Sequence, residues 1–251
     1  MKILLSNDDG IGSEGLHILG RALAKIAEVY VAAPKEEQSG AGHGITVRRP
    51  LYSRQLELPF AAGAWAVGGL PADCVKLALE ELLPQKPDVV VSGINAGPNL
   101  GDDIIYSGTV AAAREGFLYG LPAIAVSVAE RPGNVAFAAE FTRERLSSWQ
   151  GQGFKPVALF NINVPGNKRA DIKGWRYTNM GRLWYKDVFT LAKDEKGRPH
   201  YLMGGRPVNS PNPMNTDVMT CATGYISVTP LCADFTDNNM LRQLGQEKRL
   251  F

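Results

Sequence analysis

The chain has 251 residues, 45% of them hydrophobic, and its 27 basic and 25 acidic side chains leave a formal net charge of +2. A chain of this length buries a substantial core and fits one large α/β domain or one domain with an appendage, while the balanced charge without a Lys/Arg block argues against a nucleic-acid partner. Three widely spaced cysteines, Cys74, Cys221 and Cys232, argue against a disulfide framework or a cysteine-type zinc site.

The amino terminus passes directly into a strand with no signal-peptide pattern, and no apolar run has the length needed to span a bilayer. A cytoplasmic protein without a membrane partner is therefore expected. Strand and helix signals alternate through the first two thirds of the chain. Lys2–Ser6 reads as a strand, and the helical pattern after it sets Leu16, Leu19, Leu23 and Ile26 on one face. Glu28–Ala33 is the next strand, closed by Pro34. An irregular stretch precedes a strand at Trp65–Val67, and Pro71-Ala72-Asp73 opens a helix through Leu83, proline suiting a first turn. Pro87–Ile94, with Val89, Val90 and Val91, is the continuous apolar run of a strand covered on both faces. A glycine-rich loop, Asn95–Gly108, leads into a helix from Thr109 to about Tyr119. Pro122–Ala129 and Val157–Val164 read as further strands, separated by a helix from about Asn134 to Trp149. This alternation predicts a Rossmann-like, three-layer α/β fold around a mostly parallel sheet.

After Pro165 the pattern changes. Residues 166–223 carry Gly, Asn, Pro and scattered aromatics without a helical period, as hairpins or an oligomerisation arm would. Tyr225–Leu231 alternates as a strand able to rejoin the core sheet, and Ala233–Phe251 reads as a terminal helix. The expected division is a catalytic core over 1–165 and an oligomerisation region over 166–251.

Four polar segments follow predicted strands, where open α/β sheets bind ligands. The first is Asn7-Asp8-Asp9-Gly10. Adjacent carboxylates repel, and a hard cation such as Mg²⁺ between them relieves the repulsion; an ordinary Asp-Gly turn is the alternative. The second, Gln38-Ser39-Gly40-Ala41-Gly42, lets backbone approach a ligand closely or is a plain surface loop. The third, Ser92–Asp103, places Asn95, Asn99 and several glycines directly after the most apolar strand. The fourth, Tyr106-Ser107-Gly108-Thr109-Val110, enters a helix with hydroxyls and free N–H groups, either an anion site or a simple N-cap. Together they describe a metal site facing a phosphate site. No G-x-x-x-x-G-K-[ST] run and no G-x-S-x-G elbow is present, which disfavours P-loop and serine-hydrolase chemistry.

These segments, in this order and spacing, resemble the SurE (survival protein E) family of metal-dependent 5′/3′-nucleotidases. The resemblance runs from Lys2–Gly10 through Gln38-Ser39-Gly40, Gly69–Val75, Ser92–Gly101 and Tyr106–Ala112 to Asn161–Pro165, Thr216-Asp217 and Gly224–Leu231, nearly the whole chain. It implies that Asp8, Asp9, Ser39 and Asn95 hold one divalent cation per subunit, Mg²⁺ or Mn²⁺. It implies further that Asn99, Ser107, Gly108 and Thr109 surround the substrate phosphate, and that the carboxyl-terminal part joins subunits into a homodimer or homotetramer. Leu70 stands where the family usually carries threonine, which leaves base contacts from that turn open. The expected activity is hydrolysis of nucleoside monophosphates, 5′ or 3′, by a metal-activated water. Asp8 or Asp9 would orient or deprotonate that water, and Asn95, Ser107 and the Gly108 and Thr109 N–H groups would hold the phosphoryl oxygens. Two alternatives stand beside it: a broad-specificity phosphatase or exopolyphosphatase, for which Arg48-Arg49 could meet a longer anion, and a nucleotide-binding regulator without turnover.

Overall fold

The computed structural model, which describes residues 1–129, 134–166, 168–208 and 211–245, places nine strands in one sheet and two in a separate ribbon. The sheet contains β1 (Lys2–Ser6), β2 (Glu28–Pro34), β3 (Ser53–Leu56), β4 (Gly63–Val67), β5 (Val89–Ala96), β6 (Ala123–Val128), β7 (Leu159–Val164), β8 (Trp175–Tyr177) and, late in the chain, β11 (Ile226–Leu231). The ribbon is β9 (Trp184–Lys193) with β10 (Pro199–Val208). Helices are α1 (Glu14–Leu23), α2 (Pro71–Leu77), α3 (Gly108–Leu118), α4 (Val135–Gly151), α5 (Asp217–Ala222) and α6 (Asn238–Gly245). No described helix is long and apolar enough to cross a membrane.

Strand side chains alternate between two cores, which is what makes three layers. Ile3 and Leu5 of β1, Val89 and Val91 of β5, and Ile124 and Val126 of β6 pack with Leu16, Leu19 and Leu23 of α1 and with Phe141 and Leu146 of α4. Their neighbours Leu4, Val90, Ala123 and Ala125 face the other way, onto Val75 of α2 and Val110, Ala112 and Ala113 of α3. Leu4, Leu5, Leu16 and Leu19 are fully buried, and each such side chain contributes roughly 1.5–3 kcal/mol.

The sheet order is β3-β4-β2-β1-β5-β6-β7-β11-β8. Strands β4, β2, β1, β5, β6 and β7 are parallel, whereas β3 and β11 pair antiparallel with β4 and β7. From β1 the chain leaves to β2 on one side and later returns to β5 on the other. The carboxyl ends of β1 and β5 therefore flank a topological switch point, where open α/β sheets form their ligand crevice.

Several elements depart from the sequence reading. The stretch before Trp65 contains β3, whose Ser53, Arg54 and Gln55 are exposed, so no apolar alternation marks this edge strand. Beyond Leu77 the predicted helix continues as a wider π-type turn over Ala78–Leu82, with Leu83 N–H donating to the Ala78 carbonyl at 3.0 Å. Within 166–223, the expected hairpin is β9–β10, but β8 joins the main sheet and α5 is helical; both are too short to display a period. The ribbon exposes Val188, Phe189, Leu202 and Met203. The terminal helix covers Asn238–Gly245, and residues 246–251 of that expectation lie outside the described residues.

Candidate active site

The turn after β1 is closed by Asn7, whose Nδ2 donates to the Gly10 carbonyl at 3.0 Å and to Ser13 Oγ at 2.7 Å. Gly10 takes φ +94°, a conformation that L side chains rarely adopt. Asp8 is thereby buried and Asp9 partly exposed. Different elements hold the two carboxylates: Thr109 Oγ1 of α3 donates to Asp8 Oδ1, and the Ala96 N–H at the end of β5 donates to Asp9 Oδ2 at 3.3 Å. Burial raises the pKa of Asp8, the Thr109 hydroxyl opposes that rise, and the charge of Asp9 adds to it. A cation between the carboxylates would relieve both the desolvation and the repulsion.

At the end of β5 the pairing with β6 shifts register between Ser92 and Asn95, the kind of irregularity that re-aims side chains beside active sites. Gly93 takes φ +136°, and a Cβ there would lie 2.4 Å from the Val126 carbonyl oxygen, so only glycine fits. Asn95 Nδ2 donates to the Gly97 carbonyl at 2.9 Å. That bond orients the carboxamide, whose oxygen is the atom suited to a cation.

The loop that follows is pinned from three sides. Asn99 N–H donates to Asn163 Oδ1 at 2.8 Å, its carbonyl accepts from Asn161 Nδ2 at 2.8 Å and Asn163 Nδ2 at 2.9 Å, and its own Nδ2 donates to Ser127 Oγ at 2.7 Å. Gly101 N–H donates to Asp217 Oδ2 at 2.9 Å, while Asp217 Oδ1 accepts from the Gly181 and Val218 N–H groups at 2.6 and 2.8 Å. Asp217, Asn161 and Asn163 lie within the late motifs of the sequence but had no assigned role. They are the supports of the site loop.

Ser107 caps α3, accepting from the Val110 N–H at 3.1 Å. Gly108 lets the helix start lie against Asp8: a Cβ there would sit 2.7 Å from Asp8 Cβ and 2.9 Å from Pro71 Cγ. Ser39 stands on an exposed loop after β2, its Oγ donating to Glu37 Oε1 at 2.6 Å. Gln38 N–H donates to the Asp8 carbonyl at 2.8 Å and Gly42 N–H to the Tyr106 carbonyl at 3.0 Å, which ties this loop to the site.

Asp8, Asp9, Ser39, Asn95, Asn99 and Ser107 line one cleft of about 240 Å³ at the switch point, together with Gly40, Ala96, Asp103 and Tyr106. Six of the eight residues singled out in the sequence thus face a common space. The other two, Gly108 and Thr109, stand behind Asp8, and the Thr109 hydroxyl is engaged with that carboxylate. Asp103 and Tyr106 belong to the segments marked in the sequence, though no role was attached to them. Leu70 does not line the cleft; it precedes α2, where Asp73 Oδ2 accepts its N–H at 2.8 Å. Arg48 and Arg49 are exposed, and Arg49 lines a separate pocket with Lys35.

Among the described residues, no three His, Cys, Asp or Glu side chains converge on a metal-sized space. The donors at the cleft are two carboxylates, a hydroxyl and a carboxamide, an all-oxygen set that fits a hard cation such as Mg²⁺ or Mn²⁺. The cysteines are free thiols, Cys74 and Cys221 buried, and burial pushes the Cys221 thiol up to about 11.

Residues 3–187 match the family model described as Survival protein SurE. The chain is 44% identical to the 5′-nucleotidase SurE of Heliobacterium modesticaldum over 248 residues, 98% of this chain and 91% of that protein. It is 45% identical to the 5′-nucleotidase SurE of Desulforamulus reducens, with 98% of each chain covered. The crystal structure of the SurE protein from Aquifex aeolicus is similar at a TM-score of 0.83 and 35% identity, covering 97% of this chain and 98% of that one. With a family model spanning most of the chain and relatives aligned over nearly all of it, the resemblance read from the motifs holds, and the chain belongs to the SurE family.

Proposed function

We propose that this protein is a 5′-nucleotidase, a phosphomonoesterase that converts nucleoside monophosphates to nucleosides and phosphate, as the names of its relatives suggest. One observation carries the reading: the loops after β1 and β2 and the end of β5 bring Asp8, Asp9, Ser39 and Asn95 to one cleft, beside the capped start of α3. In this reading those four side chains hold one divalent cation, Mg²⁺ or Mn²⁺, which when bound polarises a phosphoryl oxygen and lowers the pKa of a water.

The remaining work falls to the chain's own groups. Asp8 and Asp9 orient the attacking water, and the carboxylate less engaged with the cation accepts its proton. Ser107 Oγ already accepts from Val110, which leaves its hydroxyl proton for a phosphoryl oxygen. Asn99 spends one amide N–H on Ser127 and keeps a second for the substrate. The Val110 N–H is taken by Ser107 and the Thr109 N–H by Asp8, so α3 acts on the phosphoryl group through the positive end of its dipole.

The test is hydrolysis of AMP with Mn²⁺ or Mg²⁺. Asp8→Asn and Asp9→Asn each lose the activity while keeping the wild-type far-UV circular dichroism, and excess EDTA abolishes turnover until metal is restored. Full activity in either variant, or in EDTA, would overturn the assignment.

A further inference from the structure

A second cleft adjoins the first, and Asp103 and Tyr106 line both. It is larger, about 680 Å³, and its far wall is built from the ribbon: Trp184 and Tyr185 at the start of β9, with Gly204 and Gly205 of β10, which pair with Val188 and Asp187 further along β9. Tyr106 is 66% and Trp184 55% exposed, so two aromatic side chains at this cleft keep much of their surface in solvent. The wall between the clefts is fixed. Tyr185 Oη donates to Asp103 Oδ2 at 2.7 Å, and the Leu183 N–H donates to Asp102 Oδ2 at 3.1 Å. Gly204 is not required by crowding: a Cβ there would meet nothing closer than the Val188 carbonyl oxygen at 3.9 Å, and its φ is not in the left-handed region. The missing side chain leaves the wall flat.

Charge narrows what can occupy this space. Asp102, Asp103 and Asp187 line it against the single cation Arg182, which sits 3.4 Å from Asp102. A polyphosphate chain or a second phosphate group would carry negative charge into a surplus of carboxylates. A ribose and a base carry none, and a base can stack on an exposed aromatic ring. We propose that this second cleft is the nucleoside subsite, in which the base of a nucleoside monophosphate stacks on Trp184 while its phosphate lies in the Asp8–Ser107 cleft. The subsite rests on the nucleotidase reading above, and it makes the ribbon the part of the chain that separates nucleotides from other phosphomonoesters.

Two substrates sharing a phosphate test it: AMP, which has a base, and ribose 5-phosphate, which has none. The readout is the ratio of their kcat/KM values in wild type, Trp184→Ala and Trp184→Phe. Base–aromatic stacking changes binding by roughly 5- to 150-fold. The ratio of AMP to ribose 5-phosphate is therefore expected to fall about tenfold or more in Trp184→Ala and to recover most of that in Trp184→Phe. A ratio unchanged in Trp184→Ala, or equal losses on both substrates, overturns the subsite and leaves the phosphatase reading standing. A wild-type protein inert on both substrates overturns the phosphatase reading, and the subsite falls with it.

Discussion

Gly108→Ala tests whether the contact between α3 and Asp8 sets the catalytic geometry. The added Cβ would lie 2.7 Å from Asp8 Cβ, 2.9 Å from Pro71 Cγ and 3.0 Å from Asp8 Oδ2. Carbon atoms pack at about 3.5–4.0 Å, so the helix start or its neighbours must retreat by about 1 Å. Neither carbon partner can swing aside, because one is bonded to the backbone at the end of β1 and the other belongs to a proline ring opening α2. Position 108 has no left-handed φ, so the perturbation is contact alone. Overpacking of this kind costs about 1–3 kcal/mol, and the better helix propensity of alanine returns up to about 1 kcal/mol. The net loss, on the order of 0–3 kcal/mol, lowers Tm by no more than about 12 °C in a chain of this size. Activity responds more strongly. A 1 Å displacement of the helix start pulls Thr109 from Asp8 and shifts Ser107, and misplacement on that scale costs on the order of 100-fold in rate. The assay is kcat/KM on AMP beside a thermal melt, with Gly151→Ala as control, since a Cβ there meets nothing within 4 Å. A Gly108→Ala enzyme with kcat/KM within about threefold of wild type would refute the argument.

The supports of the site give two more predictions. In Asp217→Asn one carboxylate oxygen becomes an NH₂ group, so whichever way the amide turns, at least one of the Gly101, Gly181 and Val218 N–H groups loses its acceptor. That costs about 1–3 kcal/mol, read as a lower Tm with a raised KM for AMP; a Tm and KM equal to wild type would show that the Gly101 anchor is dispensable. Glu115 on α3 is buried, accepting from His43 Nε2 at 2.8 Å and Lys76 Nζ at 3.1 Å, and the His43 bond holds its carboxyl below the usual glutamate value despite burial. A lowered folded-state pKa means that the unfolded chain binds the proton more readily, so this stabilisation is complete above the ordinary glutamate pKa and is lost as pH falls through the folded value. The difference in Tm between wild type and Glu115→Gln is therefore expected to shrink as pH drops from 5.5 towards 3; a difference constant across that range contradicts the assignment.

What was legible in the sequence was the part of the site whose chemistry is local. Asp8 and Asp9 stand directly after β1 and Asn95 ends β5, so their placement follows from recognising two strands and the crevice rule for open sheets. Ser107 announces itself as a cap by its place before Gly108 and Thr109. The bonding partners are not local, and they are what sorts support from contact. Thr109 shares its motif with Ser107, yet the Thr109 hydroxyl is bonded to Asp8. Asp217 lies 116 residues from the Gly101 it anchors, and Asn163 lies 64 residues from Asn99, separations that no periodicity spans. Elements missed in the fold have the same origin: β3 is an exposed polar edge, β8 is three residues long, and α5 ends before a second turn is complete. Trp184 is one of several scattered aromatics in the sequence, and β9 sets it beside the Gly101–Ile105 turn, across the cleft wall from the proposed phosphate site. The acids proposed to carry the chemistry are thus read from strand ends. The proposed nucleoside subsite depends on a ribbon whose pairing runs antiparallel from Trp184 to Val208, and that pairing exists only in the folded chain.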